Sequence, residues 1–69
     1  MQISAPEEYF GKKIRVTSTK GIVRIGELFG FDYDYDNDGN EFLEFDVEIE
    51  NGFTISYTEG EIERIDILA

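Results

Sequence analysis

The feature that most constrains the fold is a strict alternation of apolar and acidic residues from Leu43 to Glu50. Four apolar side chains alternate with four carboxylates along this segment. A period of two is typical of a β-strand that buries one face, and it does not fit an amphipathic helix. The dipeptide Asn51-Gly52 follows directly, and both of its residues tolerate the positive φ of a tight hairpin turn. The sequence therefore predicts a strand and a hairpin here, with four carboxylates on the outer face.

Four further segments are apolar and strand-like and complete a five-stranded pattern. Ile14 and Val16 mark the first strand, and the second runs from about Ile22 to Asp32. The last two strands are marked by Phe53, Ile55 and Tyr57 and by Ile62, Ile65 and Ile67. Residues 32–40 are polar and predict a turn, and residues 58–61 predict a short turn before the last strand. No repeat or linker divides the chain, so we expect one domain over residues 1–69.

Two glycines predict that the second strand bends. Gly26 and Gly30 stand inside this strand, and its apolar residues occupy both parities. Because glycine has no Cβ, it permits sharp bending or the close approach of a neighbouring backbone. We expect the strand to curl between the two halves of a small antiparallel barrel that spans residues 12–69.

Residues 1–11 predict a short N-terminal helix. Ser4 and Glu7 have the spacing of a capping box, and Pro6 stands in the first turn, where its missing N–H costs nothing. Tyr9 and Phe10 would give this helix an apolar patch that lies on the barrel. Glycine is the common residue after a helix end, and it occupies position 11.

Composition excludes several functional classes. The chain has 69 residues without cysteine or histidine and a net charge of −10. Disulfides, ordinary zinc sites and thiol or imidazole catalysis are therefore excluded. Five of the six basic residues fall within residues 1–31, and thirteen of the sixteen acidic residues fall within residues 32–69. No apolar run approaches the length of a membrane span and no basic leader is present, so we expect a soluble, cytoplasmic protein.

The segment from residue 20 to residue 32 carries a family resemblance. It reads Lys-Gly-Ile-Val-Arg-Ile-Gly-Glu-Leu-Phe-Gly-Phe-Asp, which resembles the first motif of the Sm-like family. The matching positions are Gly21, Gly26, Leu28, Gly30, Phe31 and Asp32. Residues 11–16, Gly-Lys-Lys-Ile-Arg-Val, are also similar to the C-terminal Sm-like domain of the bacterial ribosome-maturation factor.

The resemblance covers about residues 9–68 and implies a mainly β fold. We expect a short N-terminal helix followed by a five-stranded, strongly bent antiparallel barrel of the SH3-like or Sm-like type. The expected roles follow the motif: Gly21 turns, Gly26 and Gly30 allow curvature, and Leu28 fills the interior. Gly52, in the hairpin, completes the residues that define the fold together with Asp32.

The resemblance also implies RNA binding as one function. The loop after the second strand of Sm proteins carries an aspartate, an apolar residue that packs or stacks, and an asparagine. Tyr35 stands at the middle position, and Asn37 stands one residue late. The weakly basic first half supplies candidate phosphate contacts at Lys12, Lys13, Arg15 and Lys20.

Two departures from the Sm-like pattern bear on that function. Glu59-Gly60 replaces the family's Arg-Gly before the last strand, and Arg24 stands where an apolar residue is usual. Loss of the arginine in the Arg-Gly pair removes a cation that attracts phosphate and stacks on a base.

Residues 34–39 spell D-x-D-x-D-G, the first half of a calcium loop. The carboxylates of Asp34, Asp36 and Asp38 would converge on one hard cation while glycine makes the sharp turn. The bidentate glutamate expected at the twelfth loop position is Phe45 instead. The segment is therefore either a calcium site or a solvated hairpin loop, and calcium is the only cofactor that the sequence suggests.

These observations favour a non-enzymatic interaction module. Acid catalysis by a carboxyl pair needs one acid in an apolar pocket, whereas the candidate acids here lie on an outward face or in a loop. A small open barrel leaves edge strands, and we expect the last two strands to pair between copies in a homo-oligomer. The acidic half would engage a protein partner. The alternatives are an RNA-associated Sm-like protein and an acidic mimic of nucleic acid that occupies a basic groove.

Overall fold

The computed structural model describes all residues, 1–69, and shows five antiparallel strands in one sheet. The strands are β1 (Lys13–Ser18), β2 (Val23–Tyr35), β3 (Glu41–Ile49), β4 (Thr54–Thr58) and β5 (Ile62–Ile67). Short 3-10 turns occupy Pro6–Glu8, Glu50–Gly52 and Glu59–Glu61. The sheet order is β4-β3-β2-β1-β5, so β4 and β5 are its two edges. None of the helices has the length and apolar character that a membrane crossing requires.

Strand β2 pairs with β1 through its first half and with β3 through its second half. Gly26 lies in both ladders, opposite Ile14 of β1 and Ile49 of β3. A Cβ at Gly26 would overlap the carbonyl oxygen of Glu48, so of the two uses that the sequence allowed for a glycine here, a bend or a close approach, the structure shows a close approach of two backbones. The register of β2 against β3 shifts between Leu28 and Gly30, where one extra residue forms a β-bulge.

The core lies on one face of this sheet and follows the predicted alternation. Its ten buried apolar residues are Ile3, Ile14, Val16, Leu28, Leu43, Phe45, Val47, Tyr57, Ile62 and Ile65. The rings of Tyr9 and Phe45 lie 6.0 Å apart, and those of Phe10 and Phe31 lie 6.1 Å apart. The expectation that Tyr9 and Phe10 pack on the body of the domain is therefore confirmed.

The N-terminal segment is a three-residue 3-10 turn, Pro6–Glu8, in place of the helix expected within residues 1–11. Ala5 is the N-cap residue and no side chain caps the turn, so the predicted capping role of Ser4 was wrong. Pro6 is fully buried and Ile3 is buried, so tertiary packing holds the segment against the sheet, where it forms only a single 3-10 turn and no α-helix. Gly11 has a φ of +74°, which fits its predicted place after the turn.

The predicted turn over residues 32–40 was too long. Residues 32–35 of β2 continue the ladder with residues 41–44 of β3, because β3 offers backbone partners that extend the strand past its last apolar position. The turn is reduced to residues 36–40. Its conformation is set by Asp36, whose Oδ1 accepts hydrogen bonds from the N–H groups of Asp38 and Asn40, each at 2.9 Å.

The hairpin after β3 has the predicted backbone. Asn51 and Gly52 both have positive φ, 69° and 76°. The expected burial of the returning strand is only partly correct, since Tyr57 is buried, Ile55 is half-buried and Phe53 is 66% exposed. Phe53 precedes β4 and lies beyond the end of the core, which period-two alternation does not reveal.

Candidate interaction surfaces

The outer face of β2 and β3 brings like charges together. Glu27 lies directly opposite Glu48, and Asp32 lies directly opposite Glu44. Residues directly opposite in an antiparallel pair have Cβ atoms about 4.5–5.5 Å apart, so these carboxylates repel each other. Of the predicted acidic row, Glu50 lies in the 3-10 turn beyond β3, and the other three remain on the strand.

Both ion pairs of the protein lie at the edge of the sheet that β5 forms. Asp66 on β5 contacts Arg15 at 3.3 Å and Arg64 at 3.1 Å. Partial removal from water raises the pKa of Asp66, but hydrogen bonds from Arg15 and Arg64 outweigh it and hold that pKa below its ordinary value. Arg15, a predicted RNA contact, is therefore engaged with a carboxylate.

The remaining predicted RNA contacts do not form one surface. Tyr35 and Asn37 lie at the end of β2 that leads to β3, and Tyr35 is 64% exposed. Lys20 lies in the turn before β2, at the opposite end of the same 13-residue strand. Lys12 and Lys13 lie at the start of β1, and Lys13 is opposite Glu27. The topology therefore separates the aromatic and amide groups from the lysines.

The half calcium motif is not gathered around one point. The structure contains no group of three or more acidic side chains arranged to hold a metal ion. Asp34 belongs to strand β2 and its Oδ1 accepts from the N–H of Tyr35 at 2.8 Å, whereas Asp36 faces its own turn. Because Asp34 lies in a strand and Asp36 and Asp38 lie in a turn, their carboxylates do not converge as the sequence spacing suggested.

Two glutamates at the turn before β5 have structural partners. Glu59 accepts hydrogen bonds from the backbone N–H groups of Ile3 at 3.3 Å and Leu43 at 3.2 Å. Glu61 accepts the N–H and the hydroxyl of Thr58, each at 3.0 Å. These hydrogen bonds hold the pKa of Glu61 below its ordinary value. The capping box of this protein is therefore at Thr58–Glu61, and no sequence argument had placed it there.

Two pockets that share Arg24 form the two lobes of a groove beside the start of β2, of which the first faces β4 and the second faces the hairpin that precedes β4. The first lobe has a volume of about 270 Å³ and contains Ile22, Ile55 and Tyr57 beside polar groups of the β1–β2 turn. The second has a volume of about 400 Å³ and contains Ile25, Ile49 and Phe53. Arg24 lines both lobes.

Arg24 acts electrostatically on Tyr57, its neighbour in this groove. Burial raises the pKa of Tyr57, and the nearby positive charge of Arg24 opposes that rise. The sequence carries a signal for this position, since Arg24 stands where an apolar residue is usual in the Sm-like pattern and has the same parity in β2 as Gly26 and the buried Leu28. An arginine with core parity at the end of a strand indicates a cation at the mouth of the core.

Comparison with known proteins finds no matching family model, no matching curated protein and no matching solved structure.

Proposed function

We propose that this chain is a non-enzymatic interaction module that pairs with a second copy of itself and binds a protein partner. The sheet order, and the division of β2 between two neighbours, support an Sm-like small barrel as its framework. Its sheet has two edges, and apolar side chains are exposed beside both of them, with Phe53 66% exposed and Ile67 48% exposed. Edge strands of this kind are templates for pairing with another chain.

Strand β5 directs regularly spaced backbone groups away from the sheet. The N–H of Leu68 donates to the carbonyl oxygen of Lys13, and Ser18 donates to Ile22 on the other side of β1. Since hydrogen-bonded pairs alternate along an antiparallel ladder, the even-numbered residues of β5 from Arg64 onward bond to β1. The N–H and C=O groups of Ile65 and Ile67 therefore face outward, whereas Glu63 is the extra residue of a β-bulge between the Thr17–Arg64 and Ser18–Ile62 pairs.

The main support for the proposed dimer is that two β5 strands are complementary to each other, both in their backbone groups and in their charges. An antiparallel pair of β5 strands centred on Ile65 aligns the outward backbone groups of the two copies. In that register Arg64 of one copy lies opposite Asp66 of the other, and Glu63 lies opposite Ile67. Opposite charges directly across a ladder stabilise the pair, and the same contact is made twice around a two-fold axis.

A charge exchange between copies tests this dimer. Light scattering of the wild-type protein should give a mass of twice the 7.9 kDa chain. The measurement is made at about 100 µM protein, a concentration at which micromolar association is detected. Arg64→Asp and Asp66→Arg each place like charges opposite each other, so each variant alone should be monomeric. A mixture of the two variants restores opposite charges at both positions and should form the heterodimer.

Two controls keep this experiment interpretable. Circular dichroism of each variant should show the β-sheet signal of the wild-type protein, because Arg64 is exposed and Asp66 lies on an edge strand. Asp66→Arg also breaks the ion pairs of Asp66 with Arg15 and Arg64, so its melting temperature should be lower. Ile67→Pro removes an outward N–H at an exposed position and should dissociate the dimer, whereas Ile67→Ala keeps that N–H and should not. A wild-type monomer at about 100 µM, or folded variants that fail to associate on mixing, would refute the proposed pairing.

The acidic face of β2 and β3 supports a basic protein partner. Glu27, Asp32, Glu44 and Glu48 form no ion pair within the chain, so a basic surface would relieve their mutual repulsion. Such binding should weaken as salt rises and should be lost in the double variant Glu44→Gln with Glu48→Gln. Retention of partners from a cell extract, followed by identification of both protein and RNA, separates this function from the RNA-associated alternative.

A further inference from the structure

The groove between β2 and β4 holds a cation in an unusual place. Arg24 lies opposite Val16 in the β1–β2 ladder, and residues opposite each other in a ladder place their side chains on the same face. Val16 is fully buried, so Arg24 extends from the face of the sheet that carries the core. Arg24 is exposed and lines both lobes of the groove, the first of them beside the buried Tyr57.

This guanidinium has no carboxylate partner in a protein with sixteen acidic residues. Its one hydrogen bond is from Nη1 to the carbonyl oxygen of Val23, at 3.2 Å. Two acidic residues line the groove: Glu61 in the first lobe already accepts two hydrogen bonds from Thr58, and Glu50 in the second lobe forms no ion pair with Arg24. Since a guanidinium has five N–H donors, Arg24 retains donors for a carboxylate from another molecule.

Apolar surface lies on both sides of Arg24. The first lobe offers Ile22 and Ile55, and the second offers Ile25 and Phe53. Ile22, Ile25 and Phe53 are 48%, 41% and 66% exposed, so the groove is not filled by the chain itself. A ligand that spans it therefore needs a carboxylate flanked by two apolar groups.

Strand β4, which borders the groove, has a free edge. The N–H of Ile49 donates to the carbonyl oxygen of Phe53, which makes this a hydrogen-bonded pair. By alternation along the ladder, the backbone groups of Thr54 and Ser56 face away from β3. An extended segment lying along β4 can pair with them, as in recognition by strand addition.

We propose that this groove binds an extended segment of a partner protein with an apolar residue at position i, an acidic residue at i+2 and an apolar residue at i+4. Alternate residues of an extended chain face the same side, so the three side chains meet the first lobe, Arg24 and the second lobe. The edge strands of this chain, Thr54–Thr58 and Ile62–Ile67, lack that pattern, so the occupant is not a second copy. This inference extends the proposed function by giving the partner's chemistry, and it does not depend on the β5 dimer.

The test uses a fluorescein-labelled peptide, Ser-Thr-Ile-Thr-Glu-Thr-Ile-Thr-Ser, and its matched glutamine form. Fluorescence anisotropy should show saturable binding of the glutamate peptide to the wild-type protein and binding about tenfold weaker for the glutamine peptide. Arg24→Gln should bind both peptides equally, at the level of the weaker wild-type complex. Lys12→Gln removes an exposed cation from another surface and should preserve the tenfold preference.

A second pair of variants tests the position of the segment. Thr54→Pro removes an outward N–H, and the preceding Phe53 already has φ −73° and ψ 147°, which a following proline tolerates. This variant should weaken the glutamate peptide by about fivefold through loss of one backbone hydrogen bond, whereas Thr54→Ala should not. Melting temperatures close to that of the wild-type protein confirm that the variants fold.

Three results would overturn the inference: no saturable binding of the glutamate peptide, a glutamate preference that survives in Arg24→Gln, or competition for the groove by poly(U). Light scattering of the same samples gives the mass of the protein, and this measurement separates the test of the groove from the test of the β5 dimer. A monomer that binds the peptide with the expected preference refutes only the β5 pairing, and a dimer that ignores the peptide refutes only the groove.

Discussion

Gly26→Ala tests the packing of the sheet most directly. A Cβ at Gly26 would overlap the carbonyl oxygen of Glu48, and it would lie 2.8 Å from the carbonyl carbon of Glu48 and 2.9 Å from Cγ1 of Val47. The first two of these atoms belong to the backbone of β3, so the clash is relieved only if β2 and β3 move apart. Overpacking of this kind costs about 1–3 kcal/mol, and each ladder hydrogen bond that is lost adds about 1 kcal/mol. We therefore expect the free energy of unfolding to fall by about 3 kcal/mol.

Urea denaturation followed by circular dichroism measures this loss, and thermal denaturation gives an independent estimate. For a domain of this size, about 3 kcal/mol corresponds to a decrease in melting temperature of about 12–24 °C. Gly30→Ala is the matched control in the same strand. A Cβ there would lie 3.4 Å from Oδ2 and 3.8 Å from Cβ of Asp46, both of which are side-chain atoms in ordinary contact.

We expect Gly30→Ala to change the free energy of unfolding by no more than about 0.5 kcal/mol. The contrast between the two variants is the decisive result, because they make the same chemical change in one strand. A Gly26→Ala protein that melts within about 3 °C of the wild-type protein, which is less than the shift for 1 kcal/mol, would refute the close approach of β2 and β3.

Four further variants test other contacts. Leu28→Ala truncates a fully buried side chain and should lower the free energy of unfolding by about 2–5 kcal/mol in urea, whereas a loss below about 1 kcal/mol would contradict its place in the core. Glu44→Lys exchanges repulsion of Asp32 for attraction and should raise stability by about 0.2–1 kcal/mol, and a lower melting temperature would count against the register. The pKa of Glu61 is lowered on folding, so its contribution is present above the unfolded-state pKa and is lost as pH falls through the folded-state pKa. Glu61→Gln should therefore lose less melting temperature than the wild-type protein between about pH 7 and pH 3, and equal losses would contradict this reasoning. The pKa of Tyr57 is raised on folding, so its contribution to stability is lost as pH rises above about 10. Tyr57→Phe should therefore lose less melting temperature at alkaline pH than the wild-type protein, and equal losses would contradict this reasoning.

Several parts of the fold were predictable because they depend on local chemistry. Alternation placed Leu43, Phe45 and Val47 in the core, and all three are buried. Asn51-Gly52 predicted a turn with positive φ, since these residues adopt that conformation at little cost. The two glycines inside the apolar second strand allowed either a bend or a close backbone approach, and the structure shows a close approach at Gly26.

Other features depend on neighbours that are distant in sequence. Pairing with β3 extends β2 through four residues that local polarity assigned to a turn. Burial of Ile3 and Pro6 against the sheet replaces the expected helix with a 3-10 turn. Glu59 interacts with the backbone of Ile3 and Leu43, which lie 56 and 16 residues away. Local propensity has no information about such partners.

The sequence by itself determined the number of strands, the core face of β3 and the turn at Asn51-Gly52, because each of these follows from side-chain period and from the φ that a residue tolerates. The tertiary structure alone decided which charges meet. It set Glu27 against Glu48, gave Asp66 two arginines and left Arg24 without a carboxylate at the mouth of the core. Electrostatic interactions depend on the distance between groups, and only the register of the sheet fixes that distance for residues far apart in the chain.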